Sequence, residues 1–184
     1  MSKIGYFLAT MIIFISCDSG NQTRTYKLSK QNFKKKIPII NEEQGRNGDL
    51  TWTKPASWTP SEGSSMRLAS FSVPYKGGTG DLSVIQLGGE GGGLESNVNR
   101  WRRQLSMETI SLEAIKKDIN IQIGKLGEYS LIKIINDKTN DAFVCAIVPF
   151  SEQTLFVKLS MKANYLTDIE GDFVKFCSSL NISN

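Results

Sequence analysis

The chain has 184 residues, enough for one domain and hardly two, and it is 40% hydrophobic and 22% charged, which are globular rather than disordered proportions. Its 22 Lys and Arg stand against 18 Asp and Glu, a formal net charge of +4 that is too weak to imply nucleic acid. It has no histidine and three cysteines, which excludes Ser-His-Asp and Cys-His catalysis, His-ligated zinc and a four-thiolate zinc or iron–sulfur site within one chain.

Residues 1–16 read as a secretory signal. Lys3 supplies the positive start, and an apolar run follows from Ile4 to Ile15, too short to span a bilayer comfortably. It ends in Phe14-Ile15-Ser16-Cys17, which resembles a bacterial lipobox, although Phe14 stands where Leu is usual. That resemblance implies acylation at Cys17, a stable hold on the lipid bilayer through several chains, and a domain tethered outside the cytoplasm in the cell envelope. An ordinary secretory signal or an uncleaved anchor is the plainer alternative. No later stretch approaches the roughly 20 apolar residues of a transmembrane helix.

Residues 17–49 read as a basic flexible tether. Arg24, Lys27, Lys30, Lys34, Lys35 and Lys36 fall together with no acid among them. The stretch reads as a solvated linker or as a patch held to anionic headgroups at ~1 kcal/mol per cation. A linker of this length reaches on the order of 30 Å.

The folded domain is expected over residues 50–184. Residues 50–53 predict a strand stopped by Pro55. Residues 66–73 predict another, and its apolar phase shifts from Met66 and Leu68 to Ala69, Phe71 and Val73, the mark of a bulge or of a strand buried on both faces. Residues 82–87 predict a third, bounded by glycines. Leu94, Val98, Trp101 and Leu105 share one face of a helix, and a short second helix follows over residues 111–117. Ile119, Ile121 and Ile123 alternate. The runs 129–135 and 142–148 flank a polar turn and predict a hairpin. Leu155, Val157, Leu159 and Met161 alternate with Lys158 and Ser160. The closing helix carries Leu166, Ile169, Phe173, Phe176 and Leu180 on one stripe, with Thr167 and Glu170 at capping-box spacing. This order gives an α+β fold, an antiparallel sheet packed with helices.

The first strand with its Trp, Met66-Arg67-Leu68-Ala69-Ser70-Phe71, Leu155-Phe156-Val157-Lys158-Leu159 and the closing Phe173-Val174-Lys175-Phe176-Cys177-Ser178-Ser179-Leu180 resemble PsbP-like α/β sandwiches. That group includes extrinsic photosystem proteins and small bacterial lipoproteins. Asn97-Val98-Asn99-Arg100-Trp101-Arg102-Arg103-Gln104 resembles a motif of uncharacterised lipoproteins of this type. The resemblance covers about residues 50–180. It implies an accessory or binding role with no shared catalytic set, so no active residue carries over and no cofactor is expected.

Four features hold the remaining chemistry. Gly88, Gly89, Gly91, Gly92 and Gly93 lie between a strand and a helix, where backbone N–H groups can cradle an anion, yet neither the ATP nor the dinucleotide fingerprint is satisfied. A connection that needs positive φ is the plainer reading. Asn97, Arg100 and Gln104 fall on one helical stripe beside Trp101, made basic by Arg102 and Arg103, and Arg with Trp is a typical interface pairing. Solvated arginines over a core Trp101 are the alternative. Trp52 and Trp58 flank Pro55, either as core or as an aromatic platform. Cys145 and Cys177 are either two buried thiols or an exported disulfide.

The scattered carboxylates select no catalytic pair, and no metal site is expected. The expectation is a membrane-anchored, non-enzymatic lipoprotein that meets an envelope protein partner through Asn97, Arg100, Arg103 and Gln104 with the adjoining Gly91, Gly92 and Gly93. The alternatives are a carrier or sensor of a small anionic ligand at the glycine-rich loop and, further off, a cryptic hydrolase.

Overall fold

A computed structural model describes residues 44–47 and 49–183 of the chain. The signal segment, Cys17 and the basic residues 24–36 lie outside the described residues.

Among the described residues, ten strands and three α-helices follow one another: β1 (Gln44–Asn47), β2 (Leu50–Thr53), β3 (Thr59–Pro60), β4 (Arg67–Tyr75), β5 (Gly78–Gly88), α1 (Leu94–Gln104), α2 (Leu112–Lys117), β6 (Asn120–Gly124), β7 (Gly127–Asn136), β8 (Asp141–Phe150), β9 (Gln153–Lys162), α3 (Leu166–Ser179) and β10 (Asn181–Ile182). Seven strands form one antiparallel sheet in the order β3-β4-β5-β9-β8-β7-β6, and β1-β2-β10 form a smaller one. Among the described residues no helix is long and apolar enough to cross a membrane.

Side-chain alternation assigns the two faces of the large sheet. On β9, Leu155, Val157, Leu159 and Met161 face α3, and β8 sends Ala142, Val144, Ala146 and Val148 to the same side. The intervening Phe156, Phe143 and Cys145 face α1 and α2. Both faces of the central strands are therefore covered, which makes an α+β sandwich with one helical layer on each side. The α3 stripe reads as the sequence predicts: Leu166, Ile169, Phe173, Phe176 and Leu180 are all buried. Each such fully buried side chain contributes about 1.5–3 kcal/mol by leaving water.

Trp52 and Trp58 belong to this core. Trp58 stacks tilted on Phe176 at 5.4 Å, and Trp52 meets Phe71 edge-on at 5.9 Å. Their burial, to 7% and 1% exposure, removes the aromatic-platform reading. The phase shift in β4 is a register irregularity between Arg67 and Ala69, as the sequence implies.

Two expectations are corrected, and one alternative is decided. The pairing of β1 with β2 starts the sheet at Gln44, inside the stretch read as tether. A four-residue strand is too short to show a period, and its pairing with β2 defines it. The capping box does not form: α3 starts at Leu166 after a 3-10 turn over Ala163–Tyr165, with no side-chain cap, so Thr167 is already inside the helix. Glu170 pairs instead with Lys133 at 3.0 Å. Cys145 and Cys177 lie in the cores on opposite faces of the sheet and are both free, so no disulfide joins them.

Candidate functional site

The helix α1 seats Val98, Trp101 and Leu105 against the sheet, with Trp101 edge-on to Phe156 at 6.2 Å. Its first turn carries Glu95 and its last turn Arg102 and Arg103, each sign complementing the helix dipole. Both asparagines of the singled-out motif are buried. Asn97 Nδ2 donates to the carbonyls of Gly91 at 3.0 Å and Gly93 at 2.7 Å. Asn99 exchanges a pair of 2.9 Å bonds with the backbone of Ile110. They hold the loops at either side of α1. The polar stripe of the sequence reading is thus reduced at its start: Asn97 is a structural clamp, not a surface group.

The glycine loop is likewise internally bonded. Gly89 N–H donates to Glu152 O, Gly91 N–H to Gly88 O and Gly93 N–H to Glu90 O. These three donors are committed to the protein, which takes them away from an anion cradle. Gly91 has φ +58°, and a Cβ there would strike the Phe156 ring, so glycine is required by both conformation and space.

Arg100, Arg103 and Gln104 remain on the outside of α1. Arg100 Nη2 donates to Asn97 Oδ1 at 2.7 Å, which orients the guanidinium from the clamp. Gln104 Oε1 accepts from Lys158 Nζ at 2.8 Å. The same ammonium lies 4.3 Å above the Phe143 ring. Lys158 is half-buried on β9, and among the described residues no carboxylate forms a salt bridge with it.

Sheet register extends this cluster beyond α1. Ser83 of β5 stands opposite Lys158, and Ser70 of β4 opposite Ser83, both buried. Arg67 reaches across them to grip Asp81 with two bonds of 2.8 and 2.9 Å. This bidentate pairing raises the Arg67 pKa and occupies the acid nearest the cluster. Burial lowers the Lys158 ammonium below the ordinary lysine range; the charges of Arg67 and Arg100 lower it further, and Cys145 and Asp81 act in the opposite direction. The result is a cationic strip, with the half-buried Lys158 and the exposed Arg100 at its centre and the exposed Arg103 further along α1.

The motif pointed to the α1 half of this strip. Arg67 and Ser70 of β4, Asp81 and Ser83 of β5 and Lys158 of β9 come from three strands, and only cross-strand register brings them together. Lys158 carried one legible signal, a lysine beside Phe156 on the far side of an otherwise apolar strand. Among the described residues no group of His, Cys, Asp and Glu could hold a metal ion.

No protein-family model and no curated protein sequence matches the chain. Among solved structures, the fold is PsbP-like. The solution structure of the cyanobacterial PsbP (CyanoP) of Synechocystis sp. PCC 6803 aligns with a TM-score of 0.51 at 12% identity, over 79% of this chain and 95% of that one. A crystal structure from Bacteroides thetaiotaomicron VPI-5482 aligns with a TM-score of 0.51 at 10% identity over 79% of this chain. The aligned part spans half the length of that Bacteroides chain. At these identities the likeness is one of fold.

Proposed function

We propose that this chain is a non-enzymatic accessory lipoprotein of the bacterial cell envelope, anchored through acylated Cys17. It docks an acidic segment of another envelope protein on the strip of Arg100, Arg103 and Lys158. The observation that carries this reading is the Lys158 ammonium, partly desolvated and answered by the neutral Gln104 rather than by a carboxylate. A partner carboxylate supplies the direct ion pair that Lys158 lacks among the described residues, and such complementarity governs encounter and register.

A compact anion on the same strip is the second reading. The neighbouring charges of Arg100 and Lys158 favour it, whereas the committed N–H groups of the glycine loop and the buried Ser83 hydroxyl, which donates to Lys158 O, do not.

Calorimetric titration with hexaglutamate and with inorganic phosphate, at low and high salt, separates the two. Docking predicts that hexaglutamate binds at low salt and that an Arg100→Glu/Arg103→Glu variant loses it while remaining folded. Binding of phosphate alone supports the second reading. Neither probe binding contradicts both.

A further inference from the structure

We propose that β6, the strand that ends the large sheet among the described residues, is a homodimer interface in which two copies pair β6 antiparallel about Gln122. This rests on observations separate from the cationic strip. β6 ends the seven-stranded order, and its pairing is with β7 on one side. Edge strands of natural proteins are kept from pairing by charge, proline, bulges or shortness. The opposite edge obeys this rule: β3 has two residues and one of them is Pro60. β6 does not. Its five residues, Asn120-Ile121-Gln122-Ile123-Gly124, carry no charge, no proline and no register irregularity against β7. Ile121 and Ile123 are 56% and 76% exposed, on the same face of the strand.

The strand is complementary to itself. A two-fold axis normal to the sheet keeps each side chain on its own face, so the register must centre on a residue. Centred on Gln122, all five residues pair, and Ile121 of each copy stands opposite Ile123 of the other. The exposed isoleucines then close over one another in two cross-strand pairs, the contact that stabilises antiparallel ladders. The strand is flanked by exposed Asp118 on one side and exposed Lys125 on the other. The same two-fold brings Asp118 of one copy to the end where the second copy carries Lys125, so opposite charges meet at both ends. A second copy satisfies edge, side chains and flanking charges together. The symmetry is the isologous kind that closes at two and stops.

The test uses the full chain in bacterial membranes, with its own signal segment. Gln122→Cys places two thiols across the axis, where antiparallel Cα spacings of about 4.5–5.5 Å lie within disulfide range. Gln122 contributes only a bond to the neighbouring Asn120, so its replacement spares the core. Mild oxidation is expected to give a disulfide-linked dimer on non-reducing gels. Adding Ile121→Lys and Ile123→Lys, both at exposed positions, is expected to abolish it while melting temperature holds. Sedimentation of the detergent-solubilised, unmodified chain is expected to show a dimer. A monomer there, no crosslink, or a crosslink indifferent to the two lysines overturns the proposal.

Discussion

The Lys158 ammonium donates a 2.8 Å hydrogen bond to the side-chain oxygen of Gln104, tying the floor of the sheet to the last residue of α1. The acceptor is a neutral amide, so geometry is satisfied while charge is not. Replacing it by the isosteric carboxylate, Gln104→Glu, completes an ion pair. The expected outcome is a gain of ~0–1 kcal/mol in stability, small because the pair lies near solvent. Hexaglutamate binding falls at the same time. Thermal melting and calorimetry on the one variant read both effects.

Lys158 also sets a pH signature. Burial lowers its pKa from 10.5, with Arg67 and Arg100 adding to the effect and Cys145 and Asp81 opposing it. The folded protein therefore releases this proton at lower pH than the unfolded chain. Between the lowered value and 10.5 the unfolded state binds more protons, so this group makes stability rise with pH. Anion binding runs the other way, falling through the same window as the charge disappears. Lys158→Arg keeps the charge throughout. The difference between the two proteins in binding across the alkaline range is expected to isolate this lysine.

The Asn97 clamp is expected to matter for stability and for the strip. Asn97→Ala leaves the part-buried carbonyls of Gly91 and Gly93 without their side-chain donor, Gly93 keeping only the Asn97 backbone N–H, and frees Arg100 from its acceptor. Losing such bonds costs about 1–3 kcal/mol. A lowered melting temperature together with weakened hexaglutamate binding is expected, against an unchanged Ser96→Ala control at an exposed position on the same helix.

Cys145 and Cys177 are 0% and 2% exposed, and burial pushes both thiols above their ordinary range. Thiolates are the reactive form. Alkylation with iodoacetamide followed by peptide mapping is expected to leave both unmodified in the native protein. Denaturant is expected to expose both as free thiols without prior reduction.

The sequence made the covered elements legible and the uncovered ones less so. The alternation of Leu155 to Met161 and the α3 stripe follow from burial on one side, which leaves a period in the residues. The break of phase at Arg67–Ala69 was readable for the same reason. Ile119, Ile121 and Ile123 also alternate, yet the last two face solvent, because a period reports a strand and not what covers it. β1, β3 and β10 have too few residues to show any period. Within the site, Arg100 and Gln104 were legible from helical spacing. Helical spacing alone puts Asn97 on the surface, because a buried asparagine satisfied by loop carbonyls has no local signature. Lys158 joined Gln104 only through tertiary packing across 54 positions of sequence.

On the proposed reading Lys158 is kept for binding rather than for folding, and Lys158→Met separates the two roles. Replacing a partly desolvated charge by an apolar side chain of similar length is neutral or stabilising when no ion pair is lost. Calorimetry and melting of Lys158→Met, measured side by side with the unaltered chain, are expected to show hexaglutamate affinity reduced at least about tenfold, the equivalent of 1.4 kcal/mol. The melting temperature is expected to be equal or higher. A variant that melts lower and binds hexaglutamate as before would contradict the account and make Lys158 a structural residue.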